Sequence, residues 1–119
     1  MLTFDFRFAD WPESPVDAAS FFYSEHLPMI REALVGANPV ADDPAPTNTL
    51  DEIAIVFPLA DHTHRQWRLA AIQGLAREGA PRRVNGVVVG GSGGAVDKTI
   101  EWLTHAPGIT GQLLAVGRN

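Results

Sequence analysis

Ala80-Pro-Arg-Arg-Val-Asn-Gly-Val-Val-Val-Gly-Gly91, followed by Ile109-Thr-Gly-Gln-Leu-Leu-Ala-Val116, decides how the rest of this chain is read. Val84 to Val89 is a short valine-rich run stopped by glycines, the pattern of a strand buried on both faces. Asp97 to Leu103 reads as a short helix, and Gln112 to Val116 as another apolar strand. Strand, helix and strand in so few residues make a βαβ unit. Such a unit implies parallel strands and predicts a right-handed crossover.

Moving upstream, Ile53 to Phe57 is a second buried strand, ended by Pro58. Asp61 is placed to cap a helix through about Glu78, on which Trp67, Ala70, Ala71, Gly74 and Leu75 share one face. Gly79-Ala80-Pro81 ends it. Asn38 to Asn48 holds three prolines and two adjacent aspartates and reads as an exposed loop. Before it, Ser14 and Pro15 open a helix ending at Gly36, with Ala19, Phe22, Tyr23, His26, Ile30 and Ala33 at helical spacing. Pro28 inside it removes a backbone bond, costing about 3 kcal/mol unless the helix kinks there. At the start, Leu2, Phe4, Phe6 and Phe8 alternate with polar residues, as in an edge strand with one buried face.

The predicted fold is therefore α/β: a three-layer α/β/α domain over residues 1–119, with about four parallel strands in the order β-α-β-α-β-α-β. The 119 residues suffice for one core. A net charge of −5 and a pI near 5.2 argue against non-specific nucleic-acid binding. With no cysteine, thiol chemistry and cysteine metal sites are excluded. The N-terminus lacks the basic flank and apolar run of a signal peptide, and no stretch approaches the ~20 apolar residues of a membrane span. A cytoplasmic protein is expected.

Ala-Pro-x-Arg-Val-Asn-x-Val and Ile-Thr-Gly-Gln-x-Leu-x-Val resemble the C-terminal part of the short-chain dehydrogenase/reductase family, as do Gly74-Leu75-Ala76-Arg77-Glu78 and Leu27-Pro28-Met29-Ile30. The resemblance runs from about residue 15 to 117 and implies a Rossmann fold, NAD(P) binding and hydride transfer. The family's catalytic tyrosine and lysine, four residues apart on one helix, fall at Asp61 and Arg65 here. The place of its serine reads Phe57-Pro58-Leu59, and that of its asparagine falls near Pro15. Neither Asp61 nor Arg65 can replace the pair, since arginine does not readily give up its proton. The family's first strand and glycine-rich turn have no counterpart, and the segment between Asn85 and Thr110 is too short for its substrate lid. The resemblance thus implies a truncated, degenerate member with no catalytic residues and no cofactor for the isolated chain.

Other candidates are weaker. Gly90, Gly91, Ser92, Gly93 and Gly94 lie between a strand and a helix, where backbone N–H groups could hold a phosphate, but their spacing fits no nucleotide fingerprint. A turn replacing the lid is the simpler account. Asp61-His62-Thr63-His64 could suggest a metal, yet histidines two apart on a helix point to different faces; a cap with solvent-exposed histidine explains it. His26 is expected partly buried and His105 at the surface. Trp67 and Trp102 are expected in the core or a subunit contact, and Arg82-Arg83 in a charged turn. The leading expectation is a non-catalytic, oligomerising scaffold, a homodimer through helices near 17–35 and 62–78. The alternatives are an oxidoreductase subunit that binds NAD(P) with a partner chain, such as a full-length relative, and a phosphate-ligand module built on Gly90 to Gly94.

Overall fold

The computed structural model describes residues 2–36, 52–89, 93–106 and 108–116. Strands β1 (Leu2–Asp5), β2 (Glu52–Phe57), β3 (Arg83–Val89) and β4 (Leu113–Val116) form one all-parallel sheet in sequential order. Between them lie α1 (Pro15–Phe21) and α2 (Leu27–Gly36), then α3 (Arg65–Gly79), then α4 (Gly93–Thr104). The β-α-β-α-β-α-β order holds, with α1 and α2 as one bent helix. The loop expected over Asn38 to Asn48 lies outside the described residues.

Burial along the strands follows their place in the sheet. In β2, Ile53 through Phe57 are all buried, as a central parallel strand requires. β1 is an edge and alternates, with Thr3 and Asp5 exposed. The expectation that Phe8 continues its buried face is wrong. Asp5 accepts bonds from the backbone and side chain of Arg7, which turns the chain away, and Phe8 is left 86 % exposed.

Two faces of the sheet carry different layers. Ile53, Ile55, Phe57 and Val84 pack against α2 and α3 through Ile30, Leu34, Ile72 and Leu75. On the other face Val87 and Val116 pack against Leu103 of α4. The three layers are therefore present but unequal. Because the strands always step the same way while α4 lies on the opposite face, the last crossover has the opposite hand to the first two. The right-handed rule therefore cannot hold for all three units.

Local signals explain the helices. The Ser14 hydroxyl accepts the Asp17 N–H and Pro15 takes the first helical position. Between α1 and α2, Phe22–His26 forms a π-helical turn in which the Leu27 N–H reaches the Phe22 carbonyl. That wider turn comes just before Pro28, which has no N–H to give, so the helix bends and continues. On α3 the buried stripe is Arg68, Ala71, Ile72, Leu75 and Gly79. It is rotated from the face expected: Ala70 is exposed, while Trp67 and Gly74 are half-buried. Gly86 lets α3 approach, since a Cβ there would lie 2.8 Å from Leu113 Cδ1 and 2.9 Å from Ile72 Cγ1.

Candidate functional site: a crevice at the carboxyl ends of the strands

The two motifs that opened the sequence reading meet each other. The Asn85 side chain donates to the Ile109 carbonyl at 3.0 Å and accepts the Gln112 N–H at 3.1 Å. The Val84 N–H donates to Thr110 Oγ1, and the Gly111 N–H donates to the Val84 carbonyl, with Gly111 at φ +71°. Asn85 is 3 % exposed, yet both ends of its amide are satisfied. These residues lock the approach of β4 onto β3. They are a latch, and a fully paired buried network of this kind fixes register.

Arg83 belongs to the same framework and not to a charged turn as expected. It opens β3, pairs with Glu52 across the ladder, and donates to the carbonyls of Leu103 and Ala106 at the end of α4. A cation at a helix C-terminus satisfies carbonyls that have no partner within the helix.

Beyond the carboxyl end of β2 and beside Val88 near that of β3, two cavities of about 350 Å³ and about 460 Å³ lie either side of shared residues Ala60, Asp61, His64 and Arg68, the first of them also against Leu113 and Ala115 of β4. This is the end at which open α/β sheets hold ligands. The segment Pro58–Ala60 leaves β2 and delivers Asp61, whose carboxylate accepts the Thr63 N–H at 2.9 Å and the Thr63 hydroxyl. Those bonds hold Asp61 below the usual carboxylate range, so it is ionised at neutral pH. Asp61 therefore caps, as expected, although the turn it caps is 3-10 (His62–His64) before α3 proper begins. Arg65 is exposed at the rim of the first cavity. The structure thus brings the two positions Asp61 and Arg65 to one crevice.

His64 overturns the expectation of a solvent-exposed histidine: it is 6 % exposed. Its Nδ1 accepts the Trp67 indole N–H at 3.1 Å, so its proton sits on Nε2, 3.1 Å from the Glu13 carbonyl. Both ring nitrogens are engaged. His62 is exposed and also lines the first cavity, yet among the described residues no three His, Cys, Asp or Glu side chains could hold a metal. Trp67 packs against the core as expected, His26 is half-buried among Phe6, Phe22 and Trp11, and His105 is exposed. Trp102 is 54 % exposed, outside the core.

Arg68 is the residue sequence reading missed. It is 3 % exposed and lines both cavities. One of its N–H groups donates to the Pro58 carbonyl at 2.9 Å, and its guanidinium carbon lies 4.9 Å from the Phe57 ring centroid and 5.6 Å from that of Trp67. Its Nε is buried without a partner, and no carboxylate pairs with it among the described residues. Burial pushes its pKa down to about 10, which leaves it a cation at neutral pH. Of the glycine-rich candidates, Gly90, Gly91 and Ser92 lie outside the described residues, and Gly93 and Gly94 form the first turn of α4.

A family model described as short chain dehydrogenase-like protein matches residues 6–116. The chain belongs to that family. No curated protein and no solved structure matched it. The Rossmann-like α/β sheet of this short chain dehydrogenase-like protein agrees with the assignment. Among its described residues no helix is long and apolar enough to cross a membrane.

Proposed function

We propose that this short chain dehydrogenase-like protein is a non-catalytic member of its family that acts as a scaffold, assembling with a second copy of itself. The observation that carries this is the state of Asp61. At the place where the family resemblance puts a proton-donating phenol, a carboxylate is tied to Thr63 and ionised at neutral pH. Arg65, four residues on, holds its proton too firmly to exchange it. His64 cannot substitute, because both ring nitrogens are occupied. General acid–base work needs a group that changes protonation near working pH. None of these three side chains offers that with a free atom.

Assembly is supported by the outer face of the α1–α2 and α3 layer. Val16, Tyr23 and Met29 are exposed there, and a shallow groove between the helices runs past Tyr23, Ala70 and Gly74 to the Arg31–Glu78 ion pair. A Cβ at Gly74 would meet nothing within 4 Å, so the surface is open to a close neighbour. A two-fold contact is self-complementary, with the same patch on both subunits. Sedimentation at micromolar concentration is expected to give a dimer that Gly74→Arg dissociates. A monomer at that concentration overturns the assembly reading.

A further inference from the structure

The crevice under Arg68 has a use that neither the fold nor the assembly accounts for. A buried guanidinium without a counter-charge is a costly group, and replacing one partner of a buried pair shows the size of that cost. Here the compensating groups are one carbonyl and two aromatic faces, and the buried Nε–H donates to no acceptor among the described residues. Arg68 forms part of the lining of two cavities, so a counter-charge has room to enter beside it.

The surroundings choose among anions. Val88, Leu113 and Ala115 give the first cavity an apolar wall beside Arg68. Asp61 stands at the rim and is ionised, so it repels a dianion more strongly than a monoanion. A planar carboxylate also matches the guanidinium fork. We propose that this crevice binds a small monocarboxylate, its charged end on Arg68 and its apolar body against Val88, Leu113 and Ala115. The site does not depend on whether the chain dimerises.

The test is titration calorimetry on the full chain with acetate, butyrate and benzoate, set against benzamide and inorganic phosphate. Butyrate or benzoate is expected to bind with one site per chain, and benzamide, of the same shape without the charge, at least about tenfold more weakly. Arg68→Met is expected to weaken carboxylate binding roughly tenfold to a hundredfold while the circular dichroism spectrum is unchanged. Should that variant fail to fold, the benzoate-to-benzamide ratio on the unmodified chain still decides, together with benzoate-induced shifts of the Arg68 side-chain resonances. Equal binding of benzoate and benzamide, tighter binding of phosphate, no binding of any carboxylate, or indifference to Arg68→Met each overturns the proposal.

Discussion

The two ends of the β3–β4 pair handle buried polarity in opposite ways. Near the start of the strands, Asn85 and Thr110 bond backbone groups, and Arg83 bonds two carbonyls and pairs with Glu52, so β3 and β4 are tied together. Beside the carboxyl end of β3, Arg68 is as deeply buried but its Nε–H finds no acceptor among the described residues, and it lines two cavities. One arrangement holds a fold; the other holds an opening. The residues that make this chain look like a dehydrogenase belong mainly to the first end. The difference teaches that its family likeness is carried by hydrogen bonds that build the sheet, while the place where chemistry would sit has other side chains.

Substitutions at the two ends should separate them by size of effect. Asn85→Ala removes the partner of the Ile109 carbonyl and of the Gln112 N–H and leaves a gap at a buried position, so urea denaturation should show a loss of roughly 2–4 kcal/mol. A loss below half a kilocalorie would mean that water replaces the amide and that the latch is not the lock described. Gly86→Ala pushes a methyl against Leu113 and Ile72 and should cost about 1–3 kcal/mol by the same measurement. A neutral result would show that α3 can back away from the sheet.

His26 lies between these extremes. Burial among aromatic rings lowers its pKa from 6.5, outweighing the nearby Glu25 carboxylate, and its Nε2 has no partner among the described residues. Below about pH 6.5 the unfolded chain therefore takes up more protons than the folded one. Stability is full above that pH, falls as pH drops toward the folded value and levels off beneath it. Melting curves across this range should show the fall, and His26→Leu should flatten it. A melting temperature equally pH-dependent in the variant would assign the effect to other groups.

The smallest effect is expected at the crevice. Arg68→Met exchanges a poorly compensated buried cation for an apolar chain of similar length and should change stability by less than about 1 kcal/mol, in either direction. A loss comparable with that of Asn85→Ala would make Arg68 a second lock and erase the contrast.

Most of the sheet was legible because its signals are local and apolar. The valine run of β3, the Ile53–Phe57 run and the flanking glycines and prolines give strands of the right type and order. Pro28 announced a bend, although the π-helical turn that makes it could not be read from one residue. Asp61 was legible as a cap because the carboxylate acts two residues away. The crevice was not legible, because arginine and histidine read as solvent-facing. Yet a signal existed. Arg68 stands at helical spacing from Ala71, Ile72, Leu75 and Gly79, so the stripe that buries α3 passes through it. Its neighbours Phe57, Pro58 and Val88 come from two other segments, and only the fold brings them together.

The central claim is that the family likeness survives here as framework without the nicotinamide chemistry. The melting temperature of the full chain, titrated with NAD, NADP and their reduced forms, tests it most directly, because a ligand that binds only the folded state must raise it. No saturable rise with any of the four is expected from the folded, oligomeric protein. A saturable rise with one of them would contradict the claim and show that a dinucleotide site persists.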